Sequence, residues 1–108
     1  MSKKNPTFSL ITVNYNCASK IKNLHKSLTQ YESNFELIIV DNNSGQEDLR
    51  LLQQLAQENL TIHLIPLQKN IGMGAATNEG VRFASGNLII MVNPDIEFLE
   101  PVLEQLSS

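Results

Sequence analysis

Residues 35–44, FELIIVDNNS, decide the fold. From Phe35 to Val40 all but Glu36 are apolar, β-branched or aromatic types predominate, and the run has the length of a strand rather than a helix. A nearly continuous apolar strand is covered on both faces, which points to a parallel sheet. Asp41, Asn42, Asn43, Ser44 and Gly45 then supply turn chemistry. Ser44 followed three positions later by Glu47 is a capping-box pattern and predicts that a helix starts there. Leu49, Leu52, Leu55 and Ala56 form its buried stripe, and Asn59 is expected to end it.

Outward from this segment the period keeps switching. Phe8 to Val13 reads as a short β-rich run, and Ile21, Leu24, Leu28 and Tyr31 have helical spacing over residues 19–31. Thr61 to Pro66 reads as a third strand, weakened by a proline that cannot donate to a ladder. After Asn70-Ile71-Gly72-Met73-Gly74, a helix is predicted to turn Ala76, Gly80, Phe83 and Ala84 inward, with Gly86 as a left-handed stop. Leu88 to Val92 forms the fourth strand. Glu100 and Pro101 open a short helix with Leu99, Leu103 and Leu106 on one side. The alternation predicts a three-layer α/β/α arrangement around a mainly parallel sheet, one domain over residues 1–108 without repeat or linker.

Composition narrows the function. Eight basic and eleven acidic residues in 108 give a net charge of −3, which argues against gripping nucleic-acid phosphates by bulk charge. Apolar runs are too short to span a bilayer, and no secretory leader is expected at the N-terminus. The single cysteine, Cys17, excludes an internal disulfide and fits a reducing compartment; with only His25 and His63 besides, a structural zinc site is not expected. The expected location is the cytoplasm. His25 is expected to be exposed, His63 to be a hydrogen-bonded sheet residue, and Cys17 to be inert.

Ligands of open α/β sheets sit beyond the carboxyl ends of the strands. Four polar clusters occupy those ends: Asn14-Tyr15-Asn16, Asp41 to Ser44, Asn70 to Gly74, and Asn93-Pro94-Asp95. The opposite ends, Phe8, Phe35, Thr61 and Leu88, look bland. Asp41 and Asn42 either hydrogen-bond a nucleobase edge or simply build a turn and cap a helix. Asn93 and Asp95 either share Mn²⁺ or Mg²⁺ carrying a diphosphate or form a solvated proline-led turn. Tyr15 either stacks on a base or packs at the rim. Gly72-Met73-Gly74 imitates a dinucleotide fingerprint, yet its third glycine position is Thr77 and it follows the third strand rather than the first. It either offers backbone N–H groups to a phosphate or allows close helix–strand packing.

Taken together, residues 9–16, 35–44, 70–80 and 86–95 resemble, in order and spacing, the N-terminal nucleotide-sugar-binding half of family 2 glycosyltransferases. The Asp-Asn-Asn-Ser and Asn-Pro-Asp variants look most like rhamnosyltransferase-like members. The resemblance implies a GT-A fold and inverting transfer from a UDP- or dTDP-linked sugar to a glycan or lipid-linked acceptor, in cell-surface polysaccharide synthesis. It implies that Val13 and Tyr15 border the nucleobase, that Asp41 or Asn42 hydrogen-bonds it, and that Asn70, Gly72 and Asn78 line the ribose–diphosphate path. Asn93 and Asp95 stand where the family carries its Asp-x-Asp metal motif, with Asn93 replacing the usual first acid. The family's acceptor half and catalytic base come later in the chain, so neither Glu97, Glu100 nor Glu104 is assigned as base. The 108 residues are therefore expected to be a donor-binding half, inactive in transfer alone, with an exposed sheet edge that favours self-association. The competing reading is a nucleotide-binding module without transferase activity. A dinucleotide-binding or receiver-type domain fits less well, because the first strand lacks the glycines and the strand ends lack an acidic cluster.

Overall fold

A computed structural model describes residues 6–103 and 105. Strands β1 (Phe8–Asn14), β2 (Phe35–Asp41), β3 (Ile62–Pro66) and β4 (Leu88–Met91) alternate with helices α1 (Ala18–Tyr31), α2 (Gln46–Glu58) and α3 (Met73–Phe83). All strand pairs are parallel, in the order β3-β2-β1-β4. The apolar β2 is central, and β3, with its proline, is at an edge. Side chains alternate across the sheet, so Leu10, Leu37 and Ile39 meet α1 and α2 on one face, while Ile11, Val13, Ile38 and Val40 meet α3 on the other. This is the expected three-layer arrangement.

The α3 layer is thin because its contact residues are small. A Cβ on Gly80 would stand 2.6 Å from Ile11 Cγ2 and 3.1 Å from Val40 Cγ2, so the helix backbone rests directly on the sheet. Ala76 and Gly80 are buried as expected, but Phe83 is 59% exposed. The close approach at Gly80 leaves no depth for a phenyl ring one turn later. Gly86 is not a left-handed stop either: α3 ends on extended Ala84, and Gly72 carries the positive glycine φ. Gly86 is small because a Cβ there would lie 2.8 Å from the Ser9 backbone nitrogen.

The amino ends of the strands are not bland. Glu36, 4% exposed, accepts hydrogen bonds from Ser9 Oγ (2.6 Å), Ser85 N (2.7 Å) and Ser85 Oγ (3.0 Å). Gly86 N donates in turn to Ser9 Oγ, and His63 Nε2 stands 3.2 Å from the other carboxylate oxygen. This cluster ties the α3–β4 connection to β1 and β2. Burial pushes the Glu36 carboxyl upward, but the donors from Ser9 and Ser85, with His63, outweigh it and hold the group below its ordinary value.

The α1 layer also differs from expectation. His25 is buried, edge-on to the Phe35 ring, and burial lowers its pKa. The segment after β4 widens the covered arc of α1: Phe98 N donates to Ser27 Oγ, and Glu32 accepts from the backbone nitrogens of Val102 and Leu103. Leu103 is buried in the core, whereas Leu99 is exposed rather than beside it. Leu106 lies outside the described residues.

Candidate functional site at the carboxyl edge of the sheet

The register places Asn14 level with Asp41, and Asp41 level with Pro66. β4 runs in the same direction, and its last pair is Ile11 with Met91. All four polar clusters therefore leave the sheet at one edge. Asp41 and Asp95 share that edge with β1 between them.

The β1 and β2 ends are joined by hydrogen bonds. Asn14, fully buried, directs its Nδ2 at Asp41 Oδ1 (2.8 Å), Asp48 Oδ2 (2.7 Å) and Ser44 Oγ (3.0 Å). Its Oδ1 accepts from Cys17 N and Cys17 Sγ. The second oxygen of Asp48 accepts from Ala18 N, the first residue of α1. Asn16, in the left-handed region at φ 56°, donates its N–H to Ser44 Oγ and accepts from Gly45 N. The expected capping box does not form. Gly45 stands at the N-cap of α2 without a side-chain cap, and Ser44 serves the neighbouring loop instead. Asp48 carries one local sequence signal, an acidic side chain in the first turn of α2, which does not by itself point to the β1 end.

Asp41 is 1% exposed, with Oδ1 held by Asn14 and Oδ2 accepting from Ser44 N. Its carboxylate thus performs the turn-building role. Asn42 is also buried, and its Oδ1 accepts from Ile71 N, which fastens the β3–α3 loop to the β2 end. Asn70 Oδ1 accepts from Gly72 N within that loop. Gly72, at φ 87°, meets nothing within 4 Å of an added Cβ, so conformation rather than crowding explains this glycine. Gly74 and Ala75 are exposed, and close packing of α3 begins only at Ala76.

Tyr15 is 55% exposed at the rim. A groove of 130 Å³ runs between α3 and β4, lined by Val13, Met73, Thr77, Met91, Asn93 and Pro94 among others. Asn78 is exposed on α3, while Asn93 and Asp95 are exposed in the turn after β4, where Ile96 N bonds to the Asn93 carbonyl. A larger cavity of 660 Å³ lies at the opposite edge, beside Thr7, Glu32 and Asn34. Its Glu32 is already engaged with the Val102 and Leu103 nitrogens, and none of the four clusters lines it.

Among the described residues no three His, Cys, Asp or Glu side chains gather as a metal cage. Asn93 and Asp95 offer one amide oxygen and one carboxylate. That set fits Mg²⁺ or Mn²⁺ arriving on a diphosphate, because such ions take one or two carboxylates and leave their other positions to phosphate and water.

The model of the family described as glycosyl transferase family 2 matches residues 9–107. The chain belongs to glycosyl transferase family 2. Among curated relatives of this family, it is 30% identical over 106 residues to the putative teichuronic acid biosynthesis glycosyltransferase TuaG of Bacillus subtilis (strain 168), covering 97% of this chain and 42% of that protein. It is 34% identical over 100 residues to chondroitin synthase of Escherichia coli, covering 92% of this chain and 14% of that one. The chain thus spans less than half the length of either relative. Its fold matches S. aureus TarS 1-349 in complex with UDP at a TM-score of 0.80 and 24% identity, over 94% of this chain and 31% of that one. It also matches the mannosyltransferase PcManGT of Pyrobaculum calidifontis, in complex with GDP-Man and Mn²⁺, at 0.79 and 18% identity, over 93% and 30%. At these identities the two structures establish the GT-A type fold.

Proposed function

We propose that this chain is the donor-binding part of a longer family 2 glycosyltransferase, holding a UDP- or dTDP-linked sugar at the carboxyl edge of its sheet. The observation that carries this reading is the convergence of all four polar clusters on that edge. The UDP and GDP-Man complexes of TarS and PcManGT, which share the fold, support it. In this reading Val13 and Tyr15 flank the base and the Asp41–Asn42 turn supplies its polar edge. Both side-chain amide and carboxylate of that turn already carry internal bonds, so their contribution to a base depends on second lone pairs and on the Asn42 Nδ2 donor. Asn70, Gly72 and Asn78 line the ribose and diphosphate path. Asn93 and Asp95 hold a divalent cation, which when bound supplies fixed positive charge to the departing diphosphate. The overall reaction is inverting transfer of the sugar to a hydroxyl of a glycan or lipid-linked acceptor, in polysaccharide synthesis.

Two companion proposals concern assembly and place. No helix among the described residues is long and apolar enough to cross a membrane. That is compatible with action in the cytoplasm on an acceptor held at the membrane. β4 carries exposed Ile89 and Met91 on an uncharged strand edge, which supports self-association, measurable by sedimentation.

Titration calorimetry tests the main reading. UDP is expected to bind more tightly than NAD, and Mn²⁺ to strengthen UDP binding to the parent but not to Asp95→Ala. Tighter binding of NAD than of any nucleoside diphosphate overturns it.

A further inference from the structure

We propose that Asp48 and Asn14 are positioning residues for the nucleotide's base, acting through a clasp that fixes the two loops beside it. This rests on the nucleotide reading above. The clasp is the densest hydrogen-bonded cluster at the carboxyl edge; Asn14, Asn16, Ser44 and Asp48 in it lie outside the candidate contact set, which it meets at Asp41. One buried amide, Asn14 Nδ2, has only two hydrogens, and its two shortest bonds go to carboxylates on different segments, Asp41 and Asp48. Asp48 uses its remaining oxygen on Ala18 N, so a single side chain on α2 fixes both the end of β1 and the start of α1. Between those anchors lie Tyr15, Asn16 and Cys17. Asn16 sits in the left-handed region, which asparagine tolerates better than other side-chain-bearing residues, and is pinned there by Ser44 Oγ and Gly45 N. Among the described residues Tyr15 has no hydrogen-bond partner that would hold it, so the position of its ring follows from its neighbours' bonds.

The consequence is directional. The clasp joins the β1 and β2 ends, which carry Tyr15, Asp41 and Asn42. None of its bonds reaches Asn93 or Asp95. Loosening it should therefore weaken recognition of the base and leave the cation's contribution unchanged.

Asp48→Asn is the sharpest perturbation, because it keeps the shape. Both carboxylate oxygens face N–H donors, so an amide must turn its own NH₂ against either Asn14 Nδ2 or Ala18 N. The experiment titrates UMP, and UDP with and without Mn²⁺, into the 108-residue parent and this variant, with amide hydrogen exchange followed in both. The expected result is about tenfold weaker UMP and UDP binding, as for loss of one hydrogen bond to a charged group. The Mn²⁺ enhancement ratio should stay as in the parent, and exchange should accelerate at Cys17 and Ala18. Parent-like UMP affinity overturns the proposal, as does a loss confined to the Mn²⁺ enhancement. Asp48→Glu, which restores the charge, is expected to recover part of the affinity. If Asp48→Asn does not fold, Ser44→Ala, which removes the acceptor of Asn16 N, carries the same two outcomes with a smaller expected loss. Failure of the parent to bind UMP or UDP would instead overturn the nucleotide reading itself.

Discussion

Replacing Glu36 should destabilise the fold in a graded way that separates hydrogen bonding from charge. Glu36→Ala removes the acceptor for Ser9 Oγ, Ser85 N and Ser85 Oγ at once. A hydrogen bond to a charged group contributes about 1.5–3 kcal/mol, and Ser85 is exposed enough for water to replace part of its loss. The expected destabilisation is therefore about 3–5 kcal/mol, the range for breaking a buried charged cluster. That is a large share of the roughly 5–15 kcal/mol that holds a domain of this size. Glu36→Gln keeps an oxygen facing the serines and should cost only about 1–2 kcal/mol, the worth of a neutral bond in place of a charged one. The His63 partner is 53% exposed, so His63→Ala should change stability by less than about 1 kcal/mol. Urea unfolding at neutral pH measures all three. The folded pKa of Glu36 lies below its ordinary 4.5, so its contribution is complete above that value and is lost as pH falls through the folded pKa. The gap between parent and Glu36→Gln should close on acidification. If Glu36→Ala lies within about 1 kcal/mol of the parent, the cluster does not hold the α3–β4 connection and the reasoning fails.

Other perturbations follow from the same structure. Gly80→Ala should lower stability, because overpacking against Ile11 and Val40 costs about 1–3 kcal/mol and exceeds the roughly 1 kcal/mol gained in helix propensity; chemical denaturation reads the difference, and Gly80→Val should be worse. His25 has a folded pKa below its ordinary 6.5, so the unfolded chain binds more protons and stability should fall as pH drops below 6.5; thermal melts of His25→Leu should lose that slope. Gly72→Ala forces a side-chain-bearing residue to φ 87°, which should cost about 1–2 kcal/mol in melts and weaken UDP binding in calorimetry.

The layers and their order were legible because the period of apolar residues is local information: FELIIV at residues 35–40 is a buried strand wherever the rest of the chain goes. The common edge of the four clusters followed from parallel strands alone. What escaped the reading depends on partners distant in sequence. His25 is buried edge-on to the Phe35 ring at the start of β2, a contact no helical spacing reveals. Ser44 has the pattern of a helix cap, but Asn14 and Asn16 compete for its hydroxyl across the loop and win. Glu36 reads as an interruption in an apolar strand until register sets Ser9 beside it and the turn after α3 adds Ser85. Gly86 has the pattern of a left-handed helix stop, but its reason is contact with β1. Asp41 shows the same competition at the site itself, since each oxygen of its carboxylate already accepts one bond within the turn it builds.

The most direct test of the central claim is a map of amide chemical shifts as UDP and Mg²⁺ are added to the isotopically labelled chain. The account predicts that perturbed amides cluster at Tyr15, Asn42, Gly72 and Asp95, on one edge of the sheet. Perturbations centred instead on Thr7, Glu32 and Asn34, beside the cavity at the other edge, would contradict it.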